Sequence, residues 1–275
     1  MKYWYAVLLL VMAALMIVTH KIACRKNSSS LIKLIKRVLI SAVSTTVVYA
    51  GAITVSSSPV AVVLYGLYFA LTDILLIYVY LYVRRYSDIK KSSGLVRKIL
   101  FGVAGVDSAM MLINIFIKNI VFTCCVSEDG ITYDIGNITL LYYLHRFFII
   151  LLISMSLTLL IYKYFKSPKM YKKKYLVLFL MLAATAALDI FSLAIGINID
   201  LAISVFGILG FAIYYFSFIF IPHDLVEQLL SAAVRNMDDG IVCFDSEGKC
   251  VYANDSVTSD IGKDQLTTVM NALFK

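Results

Sequence analysis

Apolar residues run along this chain in seven long stretches, each close to the ~20 residues that a helix needs to cross a bilayer. They fall at about 3–19, 38–55, 60–83, 99–122, 138–162, 175–197 and 199–221, the second diluted by Ser41, Ser44, Thr45 and Thr46. After 221 the pattern changes. Asp224 follows Pro222 and His223 and is placed to cap a helix, with Glu227 three residues on reaching back to the first free amides. That helix would run to about 236. Val226, Leu229, Ala233 and Met237 lie along it at near-heptad spacing. The stripe fits a short parallel coiled coil with a second copy, or packing against the chain's own soluble segment. From Asp239 the period drops to two. Residues 241–244 and 250–252 read as short strands, with Gly248 at the turn between them and Asn254 closing the second strand and able to cap a helical segment.

Charge in the connections gives the stretches a direction. Lys21, Arg25, Lys26, Lys33, Lys36 and Arg37 follow the first, Arg84, Arg85, Lys90, Lys91, Arg97 and Lys98 the third, and Lys163, Lys166, Lys169, Lys172, Lys173 and Lys174 the fifth. The intervening connections carry no Lys or Arg: 56–59 is uncharged, 124–137 has Glu128, Asp129 and Asp134, and the turn near Asn198 has only Asp200. Basic loops stay cytoplasmic, so the alternation predicts an all-α polytopic bundle of seven transmembrane helices, amino end outside and carboxyl end in the cytoplasm. Tyr3, Trp4 and Tyr5 at the start of the first span, and Tyr78, Tyr80 and Tyr82 at the end of the third, are expected at headgroup level.

Composition agrees. Of 275 residues 61% are hydrophobic, only 15% are charged and three are proline, far from the half-apolar, quarter-charged balance of soluble domains. The lipid bilayer is therefore the main partner. The net charge of +8 resides in short loops flanking apolar spans, which argues against nucleic acid. Basic residues follow the first stretch and Lys21 breaks the apolar run before Cys24, so an uncleaved helix is expected rather than a removable signal. The five cysteines show no disulfide framework and no zinc spacing, and no metal site is expected.

Ionisable residues inside the spans are costly and face the bundle interior. At about 1.5 Å rise per residue, Asp73 and Asp107 both lie roughly 12–15 Å from the cytoplasmic edge. Together they would share a proton or bind a cation, because two neighbouring carboxylates do not both ionise cheaply. The simpler arrangement, which is preferred, has each bonded separately to a residue such as Ser108 or Asn114. Arg146 and Asp189 share a depth near ~12 Å from the outer edge on consecutive spans, and they form the leading candidate ion pair. Lys118 and His145, with Glu128, Asp129 and Asp134, could line an outward pocket for an unknown small ligand. The alternative is that Lys118 snorkels to the surface and His145 is a satisfied interior histidine. His145 could also sense pH, its reference pKa lying near ~6.5. No nucleophile–base–orienter set is present. The seventh span has no Lys, which excludes a retinal Schiff base, and no cofactor is expected.

The run Met237-Asp238-Asp239-Gly240-Ile241-Val242-Cys243-Phe244-Asp245-Ser246-Glu247-Gly248-Lys249-Cys250-Val251-Tyr252-Ala253-Asn254 resembles the opening of a PAS sensor domain. Asp239, Gly240, Asp245, Gly248 and Asn254 carry the likeness. A complete PAS domain is about twice as long as this segment, so a truncated product or the front of a longer protein is expected, with a short α+β fragment that is marginal by itself. The seven spans are similar in layout to the amino-terminal seven-helix sensor region of bacterial histidine kinases and diguanylate cyclases. The implied division is a sensor bundle over 1–221, a signalling helix over 222–237 with Pro222, Asp224, Leu229 and Met237 as relay, and a PAS-like segment over 238–275. The resemblance implies a homodimer joined through the signalling helix and an output domain beyond these residues. Neither a Gly-Gly-Asp-Glu-Phe motif nor an ATP-binding glycine box occurs. A receptor module is the preferred reading. The rival is an ion- or proton-coupled transporter using Asp73, Asp107 and Asp189. A membrane enzyme has no catalytic constellation in its favour. Reporter fusions in whole cells should place Glu128 outside and the region after Asn254 in the cytoplasm; the same side for both would overturn the topology.

Overall fold

Among the described residues, four helices are long and apolar enough to cross a membrane: Lys2–Cys24, Ser58–Tyr86, Leu140–Lys166 and Tyr171–Ser192. This fits a multi-pass membrane protein. The computed structural model describes residues 2–25, 30–87, 94–117, 120–127, 130–134, 139–195, 199–220, 239–244 and 250–257. Lys118, Pro222, Asp224, Leu229, Met237, Asp245 and Gly248 lie outside these residues, as do the helix expected over 222–236 and its dimer seam.

Within 1–220 the helices are α1 (Lys2–Cys24), α2 (Ser30–Thr54), α3 (Ser58–Tyr86), α4 (Gly94–Ile113), α5 (Leu140–Lys166), α6 (Lys169–Ile195) and α7 (Ala202–Phe218). Helix α3 is the hub: it packs against α2, α4 and α5, while α7 packs against α1, α2 and α6. Asp73, Leu75, Leu76, Ile77 and Tyr82 of α3 are buried. By contrast, Val7, Leu8, Leu10, Val11 and Leu15 expose one long side of α1, an apolar face that suits lipid.

Helix α2 is not among the four membrane-length apolar helices; it carries Lys33, Lys36 and Arg37 in its first turns and hydroxyls after them. Ser41, Ser44 and Thr45 are satisfied within the helix, while the buried Thr46 hydroxyl has no partner among the described residues. Ser41 donates to the Arg37 carbonyl at 2.7 Å, Ser44 to Ile40 at 3.0 Å and Thr45 to Ser41 at 2.8 Å. A span can carry such groups without exposing an unpaired donor to hydrocarbon. Helix α7 has 17 residues, about 25 Å against a hydrocarbon core of about 30 Å.

Two expectations are corrected. The fourth apolar stretch does not stay helical to 122, because α4 stops at Ile113. Asn114 ends it: its side-chain NH2 donates to the Phe122 carbonyl at 2.9 Å and its Oδ1 accepts from the Val121 amide at 3.0 Å. The clamp feeds the chain into an antiparallel hairpin, β1 (Thr123–Ser127) with β2 (Gly130–Asp134), in register from Thr123 opposite Asp134 to Ser127 opposite Gly130. The apolar run there fills the bundle's end, where Phe122 packs edge-on to Phe69 at 5.3 Å. Second, Tyr80 and Tyr82 are buried rather than interfacial. The Tyr82 and Ser217 hydroxyls share a hydrogen bond of 3.0 Å, and Tyr86 donates to the Phe216 carbonyl at 3.1 Å. These bonds join α3 to α7. Tyr3 and Trp4 are exposed.

The second unit, 221–275, contains an antiparallel pair, β3 (Val242–Phe244) and β4 (Cys250–Ala253), with an irregularity between Cys243 and Phe244. Asn254 organises it from a fully buried position. Its Oδ1 accepts from the amides of Ile241 at 3.0 Å and Val257 at 3.4 Å, and its NH2 donates to the Asp239 carbonyl at 2.8 Å. One side chain thus closes the strand pair and caps the helical turn at 255–257. A Cβ on Gly240 would stand 2.8 Å from Val257 Cγ2, so this turn requires a residue without one.

Glycine also sets the spacing of α3 and α4. A Cβ on Gly66 would stand 3.2 Å from the Met111 carbonyl oxygen, a backbone atom that cannot swing aside. Gly66→Val should therefore cost about 1–3 kcal/mol. Gly51→Val, whose Cβ meets only Leu64 Cδ1 at 3.7 Å, should change little. Thermal melting in detergent separates the two.

Candidate functional site

Two turns below Gly66, α3 presents Asp73 to α4 and α5. Asp73, Asp107 of α4 and His145 of α5 meet there and are all buried. His145 Nδ1 lies 2.6 Å from Oδ2 of Asp107 and 3.5 Å from Oδ1 of Asp73, and Ser108 donates to Oδ2 of Asp73 at 3.3 Å. Among the described residues, Oδ1 of Asp73 and Nε2 of His145 have no hydrogen-bond partner. The Phe69 ring covers His145 edge-on at 5.3 Å. The preferred expectation, separate bonding of the two aspartates, is half met: Ser108 does serve Asp73, but Asn114 serves the loop, and the carboxylates converge on one imidazole. His145 belongs to this cluster as an interior histidine that is only half satisfied, Nδ1 being bonded and Nε2 without a partner among the described residues.

At 2.6 Å, His145 Nδ1 and Asp107 Oδ2 are hydrogen-bonded to each other. The same residues offer a cation three ligand atoms within 4.8 Å of one another. The His145–Asp107 contact would have to open to admit an ion, since neighbouring ligands of one ion stand about 3 Å apart at metal–oxygen distances near ~2.1 Å.

One residue further along α5, Arg146 turns to α6. Its Nη1 donates to Oδ1 of Asp189 at 2.5 Å, with side-chain exposures of 13% and 14%, and its guanidinium lies 5.4 Å from the Tyr142 ring centroid. The pairing of these two residues from their shared depth agrees with this geometry. Beside them lies a cavity of about 20 Å³, bordered by Tyr68, Thr72, Arg146, Thr185, Asp189 and Asp200, with room for about one water.

Asp200 is the residue that sequence reasoning passed over. It precedes α7 and joins four helices. Its carbonyl accepts from Tyr5 of α1 at 2.9 Å, its amide donates to the Tyr49 hydroxyl of α2 at 2.5 Å, and Tyr68 of α3 donates to Oδ2. Oδ1 caps α7 through the Ala202 amide at 2.8 Å. A lone acid in an otherwise apolar turn was the available signal. The three tyrosines gave none, because each reads equally well as core or interface.

No known protein family matches the sequence, and no curated protein matches it.

Arg146→Leu alone should lower stability by about 3 kcal/mol or less, since both partners keep some exposure; adding Asp189→Leu should restore most of the loss. Equal loss in single and double variants, measured by chemical unfolding in detergent, would argue against a coupled pair.

Proposed function

We propose that this chain is the sensory input module of a bacterial membrane receptor: seven spans with the amino end outside, followed by a cytoplasmic signalling helix and a PAS-like segment that leads to an output domain of the cyclase, phosphodiesterase or kinase kind. One observation carries the reading. The ionisable groups of the spans are gathered on α3, α4, α5 and α6 where these face one another, His145 and Arg146 being consecutive on α5. Intramembrane charge is expensive and is retained where it is used. A ligand or membrane state that changes these contacts favours one helix arrangement over another, and only such differential contact transmits a signal.

Further support comes from the connections. All three Lys/Arg-rich ones alternate with non-basic ones, which supports seven crossings even though α2, α4 and α7 are individually weak spans. In the second unit, the buried Asn254 and the close approach at Gly240 are features a PAS opening would need at its motif positions. Asp107, His145, Arg146 and Asp189 are the sensing residues in this proposal, with Asp73 holding Asp107 and His145 in place.

A proton- or cation-coupled transporter is the second reading, favoured by the three clustered ligand atoms and the water-sized cavity beside Arg146 and Asp189. The two part in reconstituted vesicles. With the full chain carrying Cys at Leu229, Asp107→Asn should change the yield of crosslinks between copies, and labelled sodium and protons should enter no faster than into empty vesicles. Uptake that Asp73→Asn abolishes, with crosslinking unchanged, would transfer the assignment to transport.

A further inference from the structure

Helices α4 and α5 both pack on α3, and between their outward faces lies a second cavity of about 420 Å³. Its size falls among ligand pockets, about 300–1,000 Å³. Gly102, Val103 and Val106 form one wall, Leu144 and Phe147 the other, and the lining is apolar except for Asp107. Val106 and Phe147 are exposed, so the mouth opens sideways, onto the surface that hydrocarbon would cover. Gly102 keeps the wall thin, since a Cβ there would meet nothing within 4 Å.

Asp107 is what makes this more than a greasy furrow. Its side chain is 5% exposed and reaches His145, while those of Asp73 and His145 are fully covered. The cleft is therefore the route by which a molecule dissolved in the bilayer can touch the buried cluster. Hydrocarbon alone offers the carboxylate at its floor no donor beyond the His145 contact it already has, whereas a polar head can supply one. The complementary occupant has an apolar body and one donor. A phosphate headgroup fits poorly, because it brings negative charge to an acid and belongs at the membrane surface rather than at the depth of Asp107.

We propose that the cleft between α4 and α5 binds a single-chain lipophile from within the membrane, its hydroxyl or amine head donating a hydrogen bond to Asp107. The proposal rests on the sensor reading and names the chemistry of its ligand. Binding at Asp107 competes with the His145 contact and so reaches Asp73 and, through α5, the Arg146–Asp189 pair.

The test uses the full chain in lipid nanodiscs and a diazirine-bearing tetradecan-1-ol as photoprobe, with labelled peptides mapped by mass spectrometry. Saturable labelling of the 102–110 and 144–151 segments is expected, displaced by unlabelled tetradecan-1-ol and not by tetradecane. Gly102→Leu, which fills the cleft without touching the cluster, and Asp107→Leu, which removes the acceptor, should each weaken binding by about tenfold or more. Where Asp107→Leu does not yield folded protein, Gly102→Leu and the tetradecane comparison decide. Equal displacement by tetradecane would reduce the cleft to ordinary lipid-facing surface. Undiminished binding in Gly102→Leu would overturn the location. Crosslinking of two copies through Val106→Cys, with no alcohol labelling, would assign the cleft to a second chain. Failure of binding leaves the Leu229 crosslinking result standing, so loss of the ligand class and loss of the sensor reading are told apart.

Discussion

Polar groups inside a lipid-covered bundle have no water to turn to, and the arrangement of this chain follows from how they satisfy one another. Helix α3 sits at the centre because it carries groups that no outer helix could hold cheaply: Asp73, Tyr68, Tyr82 and Thr72. Thr72 bonds back to its own helix. Asp73 finds Ser108 and His145, Tyr68 finds Asp200, and Tyr82 finds Ser217. Each partner lies on a different neighbour or a different level, so the bonds fix where α4, α5 and α7 stand around α3. Apolar contact between helices would not do this, since lipid chains are as good a neighbour for Leu as another Leu.

Where a helix must come closest, a small residue makes room. Gly66 lets the α4 backbone approach α3 at Met111, and that approach carries Asp107 and Ser108 to the level of Asp73. At the far end of α3 the joint is aromatic. The ammonium of Lys174 lies 4.5–4.9 Å from the ring centroids of Tyr86, Tyr171 and Tyr175. A lysine at the predicted cytoplasmic boundary thus contributes cation–π attraction between α3 and α6 as well as topological bias.

Much of this was legible along the chain and less of it across the chain. Length and hydropathy find apolar spans, and loop charge orders them. Depth along an axis paired Arg146 with Asp189 because they are of opposite charge, share a level and stand on consecutive spans. The same arithmetic separated His145 from Asp73 and Asp107, since depth says nothing about which way a helix tilts or which side of it faces its neighbour. Asn114 looked like a possible companion for a carboxylate. It became the lock of a loop because Val121 and Phe122 return to it, a fold-back that composition cannot reveal. The hairpin after Phe122 was hidden for a related reason: an apolar run of that length satisfies a membrane and the end of a bundle equally well. Tyr80 and Tyr82 share their chemistry with interfacial tyrosines, and only the position of Ser217 distinguishes the two fates of Tyr82.

The succession of His145 and Arg146 gives α5 a property that neither residue has alone. Neighbouring side chains on a helix point about 100° apart. One is fastened towards α3 and α4, the other towards α6. A turn of α5 about its axis would move the imidazole and the guanidinium together, so one contact cannot be displaced by such a turn without disturbing the other. Held on both sides in this way, the helix has little freedom to rotate unless both contacts give.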